Sequence, residues 1–467
     1  MSRYVLQPDW RLLGWKGDPF FLARRSDGTT RRLSLTEFAF LLRCDGQTEM
    51  GTEDWPPVPD WAVRQRVIAP CAGEERLRPE QEYRLFPNRR AERMHLSVTG
   101  RCNLNCRHCF HAADCRPRSE EPTLEQLSSL LDSMEACGVR RLRLDGGEPL
   151  MRRDLLNVTA EMAKRDIAVC EIMTNGALLT PGFLDELEKQ GHRPRWFVSF
   201  DGLGCHDWLR GVPGTEEKAL EAIGLLCRRG YCVNVHQCVW RDSLPSVRPT
   251  VRKMQELGVS RYRIVPVEPS LRWRETSAEQ SISIEQWLRY IPGFLDWWYG
   301  ADIHMDLDLW SFWTHRYGDK RACIVPDLAS GGGDDDSPAC ASHRNRPFID
   351  ADGRVVPCMP LSGITGAYGI GWGNVYQGDD LRELFTDSPF LDQISCTCGQ
   401  IKESNPKCHS CPWRDRCAAG CRAEALARCG RLNGIDERIC MFFESGCYEQ
   451  LQAVAEKWGL ETGAHTH

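Results

Sequence analysis

"TGRCNLNCRHCFHAADC", Thr99–Cys115, sets Cys102, Cys106 and Cys109 within eight residues, directly after the apolar stretch "MHLSVTG". A strand whose C-terminal end runs straight into metal-binding residues is the arrangement of βα-unit active sites, which sit in the loops after parallel strands. Further apolar strand candidates follow: "VRRLRLDGG", "VCEIMTNG", "RWFVSFDG", "CVNVHQCVW" and "RYRIVPV". Helical patterns such as "TLEQLSSLLDSMEACG" and "TPGFLDELEKQG" lie between them, and several end in Gly, a common helix stop. Six strands separated by helices predict an α/β fold of parallel βα units, closed or partly closed into a barrel. An open doubly wound sheet is the competing topology. Three thiolates spaced three and then two residues apart suit one face of a cubic iron–sulfur cluster and leave one iron open. A structural zinc site takes four protein ligands, which this triplet does not supply.

The 467 residues are 42% hydrophobic and 27% charged, enough apolar material for two or three domain cores. A net charge of −6 gives no electrostatic case for nucleic acid or an anionic membrane as partner. No apolar run approaches the length of a spanning helix, and "MSRYVLQPDWRLLG" lacks a signal peptide's apolar core, so a cytoplasmic protein is expected. Disulfides do not persist there, so clustered members of the 24 cysteines read as metal ligands. The isolated Cys44, Cys137, Cys170, Cys227 and Cys232 read as packing residues.

Composition divides the chain. Residues 1–71 read as a few strands and a short helix ending near Gly46, and the charged stretch 72–93 as a linker or solvated helix. The strand–helix alternation occupies 94–315. Cysteine, Gly and Pro dominate 316–450, opening on the loop "ASGGGDDDSPA". Residues 451–467 hold the end of the helix "GCYEQLQAVAEKWGL" and a tail, "ETGAHTH".

CxxxCxxC after the first strand, then "GGEPL" at Gly146–Leu150 on the end of the next, resembles the radical S-adenosylmethionine (SAM) superfamily. The resemblance implies a partial (β/α)6 TIM-type barrel. It also implies a [4Fe–4S] cluster on Cys102, Cys106 and Cys109, whose open iron is chelated by the amino and carboxylate groups of SAM. Reduction of the cluster then yields methionine and a 5′-deoxyadenosyl radical that abstracts a substrate hydrogen. By the same resemblance Gly146, Gly147, Glu148 and Pro149 lie at the methionyl group, with Glu148 accepting from its ammonium. Asn175 of "TNG" and Ser199 of "SFDG" fall at the ribose, and Arg210 of "HDWLRG" near the SAM carboxylate, where a guanidinium fork suits. His108 departs from the family, standing where an aromatic residue stacks on adenine; an imidazole can still stack.

Cys340 is followed by twelve residues, Gly353, four residues and Cys358; then come Cys408, Cys411, Cys417, Cys421 and Cys440. The spacing can be read as a zinc ribbon, but the seven-cysteine order resembles the SPASM domain of some radical SAM enzymes, which holds two auxiliary iron–sulfur clusters. That resemblance gives Cys408, Cys411, Cys417 and Cys440 to the outer cluster, and Cys340, Cys358 and Cys421 to the inner one. The inner cluster's fourth ligand is open between Cys323, Cys396, Cys398 and a vacant iron. Three [4Fe–4S] clusters and SAM are therefore the expected cofactors.

"FFLARRSDGTTRRLSLTEFAFLLRCDGQT" resembles the small winged-helix PqqD-like module that recognises leader sequences of ribosomally made peptides; a structural cap is the alternative. Together the resemblances imply a radical SAM/SPASM peptide maturase that forms a thioether or carbon–carbon crosslink. Its partners would be a leader-bearing precursor peptide and a one-electron donor such as flavodoxin or ferredoxin. A peptide epimerase, an anaerobic sulfatase-maturating enzyme and a structural zinc scaffold are the alternatives. No catalytic acid or base stands out, since Asp201, Asp306 and Asp308 read equally well as structural.

Overall fold

The computed structural model describes residues 2–50, 58–109, 121–268, 271–331, 333–340, 347–362, 372–386 and 394–463. Residues 464–467 of the expected tail lie outside them, as do parts of the stretches after Cys109 and Cys340.

At the N-terminus run β1 (Arg3–Leu6), β2 (Trp10–Trp15), β3 (Asp18–Arg24), β4 (Thr30–Arg32), α1 (Leu35–Leu42), α2 (Asp60–Arg64), β5 (Ile68–Cys71) and β6 (Arg84–Phe86). They make a two-stranded sheet, β1-β5, and a four-stranded one, β4-β3-β2-β6. A capping box starts α1: Ser34 Oγ accepts from the Glu37 N–H at 3.2 Å while the Glu37 carboxylate accepts from the Ser34 N–H at 2.8 Å. Stretch 72–93, read above as a linker or solvated helix, carries β6, which pairs parallel with β2, and a buried Gln81 whose amide donates to Leu6, Gln7 and Trp10 carbonyls.

The alternating region follows as β7 (Arg93–Ser97), α3 (Leu124–Ala136), β8 (Arg141–Asp145), α4 (Leu155–Lys164), β9 (Ala168–Thr174), α5 (Pro181–Lys189) and β10 (Arg195–Ser199). Next come α6 (His206–Arg210), α7 (Thr215–Arg228), β11 (Val233–Val239), α8 (Val247–Leu257), β12 (Arg261–Pro266), α9 (Leu271–Thr276), α10 (Ile284–Gly300) and β13 (Asp306–Leu309). Strands β7 to β13 pair parallel in chain order. Alternation sorts each strand's residues: Leu142, Leu144, Val198, Val235 and Ile264 are buried in the main core, and Arg143, Asp145, Phe197, His236 and Arg263 take the other face. In a flat sheet β8 and β12 would stand about 19 Å apart. Yet Arg143 stacks on the Phe197 ring two strands away at 4.6 Å, and after burial, the largest cause, the Arg263 charge adds to the lowering of the Arg143 and His236 pKa values. The sheet is therefore curled, with these side chains on its concave face.

Six short strands extend the sheet: β14 (Trp313–His315), β15 (Arg321–Ile324), β16 (Phe348–Ile349), β17 (Arg354–Val356), β18 (Gly373–Asn374) and β19 (Glu461–Thr462). β16 pairs parallel with β7, which ties the cysteine-rich region to the strand that carries the first cysteines. Glu461 and Thr462, read above as tail, pair with β15. No helix among the described residues is long and apolar enough to cross a membrane.

The N-terminal sheet docks at the strands' N-terminal ends. Trp15, fully buried, donates its indole N–H to the Cys137 carbonyl at 2.9 Å, and Arg11 and Arg25 both pair with Asp166 beyond the end of α4. Cys44 and Cys137 are buried as expected, but Cys232 is exposed, because it lies in the surface turn that enters β11.

Candidate active site

The cysteine loop leaves β7 and is clamped from two sides. On one, the Gly147 N–H donates to the Thr99 carbonyl at 2.9 Å and the Glu148 N–H to that of Arg101 at 2.8 Å. A Cβ on Gly146 would lie 2.4 Å from the Thr99 oxygen and one on Gly147 2.3 Å from the Arg101 oxygen, so both positions require glycine for close backbone approach. On the other side, the Asn105 and Arg107 N–H groups donate to the Arg210 and Leu209 carbonyls at the end of α6. Between the clamps Cys102 and Cys106 are buried with Leu104, and Cys109 and Val212 pack alongside. Cys102 Sγ accepts from the Leu104 N–H at 3.4 Å, and Cys106 Sγ from Arg210 Nη1 at 3.7 Å. Burial pushes the Cys102 thiol up to about 12, and the neighbouring Cys106 and Cys109 sulfurs add to the rise. Thiols this reluctant to ionise alone give up protons when a metal binds them. Three converging sulfurs, two of which already accept N–H donors, fit one face of an iron–sulfur cluster.

Polar groups at the other strand ends surround this loop. Glu148 is buried and accepts from the Thr174 hydroxyl and the Asn175 N–H, both at 2.7 Å, and from the Leu150 N–H at 3.2 Å. Burial outweighs those donors and raises its pKa to about 7. Asn175 Nδ2 donates to Asn103 Oδ1 at 2.8 Å, which ties the third strand's end to the cysteine loop. Pro149 is buried at the start of a single 3-10 turn. Arg210 clasps Asp201 through Nε at 2.6 Å and Nη2 at 3.2 Å, leaving Nη1 for Cys106. Asp201, read from sequence only as a structural possibility, is the anchor here: it also accepts from the Cys238 N–H at 3.0 Å. Its own N–H donates to His206 Nδ1 at 3.0 Å.

His108 turns toward the same group, with a ring nitrogen, an Asp201 carboxylate oxygen and Cys238 Sγ all within 4.8 Å of one another. Burial and the Arg210 charge hold its pKa down to about 3, which keeps the imidazole neutral. Ser199 ends β10 beside His236 in register. Sequence reasoning missed Arg152, which is buried and donates to the Val98 and Pro122 carbonyls, bracing both ends of the cysteine segment. Its place four residues after Glu148 carried no periodic signal.

In the C-terminal region Cys408, Cys411, Cys417 and Cys440 line one cavity with Ile401, Trp413, Ile439 and Phe443. Lys402 also lines it and is paired with Asp335, and its charge lowers the Cys408 and Cys417 pKa values against the larger effect of burial. Four thiols in an apolar chamber beside a buried cation fit an anionic cluster. Cys340, Cys358 and Cys421 form a second group: burial first, then Cys421 and Cys340, raises the Cys358 pKa. The Cys421 N–H donates to Asp436, whose carboxylate also holds the Arg438 guanidinium. Among the open fourth positions, Cys323 Sγ donates to the Ser330 carbonyl, Cys396 Sγ to that of Ile394 and Cys398 Sγ to that of Ala418. Burial first, with Cys340 adding to it, raises the Cys396 pKa.

Residues 96–240 match the Radical SAM superfamily. The AdoMet-dependent heme synthase of Methanosarcina barkeri is 27% identical over 341 residues, 71% of this chain and 91% of that protein. The PqqA peptide cyclase of Granulibacter bethesdensis is 22% identical over 343 residues, 73% of this chain and 84% of that protein. Among solved structures, Streptococcus suis SuiB bound to precursor peptide SuiA superposes with a TM-score of 0.62 at 14% identity, over 94% of this chain and 100% of that one. anSMEcpe with bound AdoMet gives 0.58 at 16% identity, over 78% of this chain and all of that one.

Proposed function

We propose that this chain, whose residues 96–240 match the radical SAM superfamily, is a radical SAM peptide maturase. Its substrate is a ribosomally synthesised precursor, in which it installs a thioether or carbon–carbon crosslink. The observation that carries the reading is the extent of the likeness to peptide-bound SuiB: it spans 94% of the chain, the N-terminal sheets and cysteine-rich region included. The PqqA cyclase relative, which acts on a peptide by name, points the same way.

Cys102, Cys106 and Cys109 would hold a [4Fe–4S] cluster, which would supply the one-electron reduction of SAM when bound. The chain's own residues do the rest. Glu148, held by Thr174 and Asn175, faces the SAM ammonium; Arg210, fixed by Asp201, sets one guanidinium edge against the cysteine loop; neutral His108 and Ser199 line the nucleoside side. Cys408, Cys411, Cys417 and Cys440 hold one auxiliary cluster. Cys340, Cys358 and Cys421 would hold the other, with Cys323, Cys396, Cys398 or a vacant iron at its fourth position, and a flavodoxin or ferredoxin would be the external one-electron donor. The exposed Arg31 and Arg32 edge of β4 offers unpaired backbone groups on which an extended leader can add as a strand.

Anaerobic reconstitution with SAM and reductant tests the chemistry: 5′-deoxyadenosine forms with wild-type protein and not with Cys106→Ala. The peptide encoded by a neighbouring short reading frame should then lose two hydrogens per crosslink. A second reading, action on a tetrapyrrole, is favoured by the heme synthase relatives. Turnover of a tetrapyrrole with no change in the peptide would select it.

A further inference from the structure

Lysine side chains in this chain lie at the surface, with one exception. Among the described lysines Lys402 alone is buried, at 1% exposed, on the helix Cys398–Glu403. An ammonium in such a place loses its hydration, which is why lysine is almost never fully buried without a partner. The partner here is Asp335. Its carboxylate is 44% exposed, at the boundary with water, where solvent screens it. The pair therefore runs from solvent into the interior with its positive end inside.

That positive end borders the chamber of the outer cysteine group. Lys402 lines it together with Cys408, Cys411, Cys417 and Cys440, so the cation and the four thiols share one space. Three further charged residues line it. Asp436 is buried, but the Arg438 guanidinium clasps its carboxylate at 3.1 and 3.0 Å. Glu444 is exposed and pairs with the exposed Lys407 at 3.1 Å, and Arg414 is half-buried. The other walls are largely apolar, Trp413 and Phe443 among them. Lys402 is thus the fully buried cation of this chamber, in surroundings where a charge acts more strongly than it does in water. An apolar side chain of similar length would fill the position without the desolvation penalty, so stability alone does not account for the charge.

We propose that Lys402 sets the reduction potential of the outer centre: its ammonium stabilises the reduced, more negative form of an iron–sulfur cluster held by Cys408, Cys411, Cys417 and Cys440. The inference rests on the proposed assignment of a cluster to those four cysteines. The couple is a single electron. The cluster gains it from the external one-electron donor, no bond forms or breaks, and Lys402 keeps its proton throughout. Net charge is among the factors that set cluster potentials, and four thiolates make the reduced form strongly anionic. With a buried cation beside it, the centre is easier to reduce than its ligands alone would make it, which suits it to accept electrons.

A redox titration of anaerobically reconstituted full-length protein, followed by electron paramagnetic resonance, tests this. Replacing Cys102, Cys106 and Cys109 together by Ala removes the signal of the SAM-binding cluster. Of what remains, the signal that Cys411→Ala abolishes belongs to the outer centre. In Lys402→Met and in Lys402→Gln its midpoint should fall by about 59 mV, a tenfold change in a one-electron equilibrium. Lys402→Arg should restore most of the wild-type value. The fall should persist between about 0.01 M and 1 M salt, whereas any shift in the surface variant Lys407→Gln should vanish at the higher concentration. An unchanged midpoint in both neutral variants overturns the proposal, and so does an equal fall in Lys402→Arg, which would trace the effect to packing. Loss of the signal in both neutral variants would make Lys402 a folding residue and overturn it too. No Cys411-dependent signal in any of the proteins overturns the cluster assignment, and the inference with it. Formation of 5′-deoxyadenosine by protein that keeps Cys102, Cys106 and Cys109 is read separately and reports on the enzyme class alone.

Discussion

Arg210 and Asp201 illustrate how much one buried pair holds here. Both charges are out of water, and the guanidinium's remaining nitrogen reaches Cys106. Arg210→Ala strands the Asp201 charge and should cost about 3–5 kcal/mol in denaturant unfolding. Arg210→Lys should recover little of it, since an ammonium cannot span both carboxylate oxygens. The pH dependence of Asp145 runs the other way. Burial lifts its pKa to about 7 against the opposing Arg143 charge, so between its unfolded value and about 7 the folded chain binds the extra proton. Stability contributed by the protonated form is therefore lost as pH rises through that window. The melting-temperature gap between Asp145→Asn and wild type should widen from pH 5 to about pH 7 and stay level above it. A gap that narrows with pH would reverse the sign of this burial term. Neither residue's partner was legible in the sequence: Asp201 and Cys238 meet only because two strands pair, and no local spacing encodes a contact 37 residues long.

Among the elements, the alternation of apolar strands and Gly-stopped helices marks β7 to β12 because each βα unit buries a stripe of its own. The two-residue strands β16, β18 and β19 have no period to read; their conformation comes from the partner, as β16 takes its register from His95 and Leu96 of β7. β6 was obscured in the same way, its Arg-Leu-Phe lying in a charged run that only β2 makes into a strand. The Gly146-Gly147 turn was legible as a motif, and its mechanical role was not. A Cβ at Gly147 collides with the Arg101 carbonyl, so Gly147→Ala must push the cysteine loop off its clamp. On the proposed assignment of three clusters, the reconstituted variant should lose about a third of its iron, with the auxiliary signals intact by electron paramagnetic resonance. Full iron content would mean that the loop absorbs the shift.

Across the whole molecule the two ends of the curled sheet are held by different physics. The N-terminal sheets fasten to the strands' N-terminal ends through Trp15, Arg11 and Arg25, a hydrogen bond and ion pairs that are independent of metal. The exposed edge strand β4 belongs to the unit docked at the end opposite the cysteine loop. The cysteine-rich region has short helices, such as Cys398–Glu403 and Pro406–His409, and strands of two or three residues, with thiols in place of much of the apolar interior. On the proposed ligand assignment its folding free energy should come largely from its clusters, because the interleaved Cys417 and Cys421 would tie two metal groups into one unit. Removing iron with a chelator should therefore expose 394–440 to protease first, while the fragment spanning β7 to β13 survives, as mass spectrometry of timed digests would record. Simultaneous loss of both would mean that the β16–β7 pairing transmits the collapse, and unchanged protection would show that the apolar contacts around Trp413 and Phe443 suffice without metal.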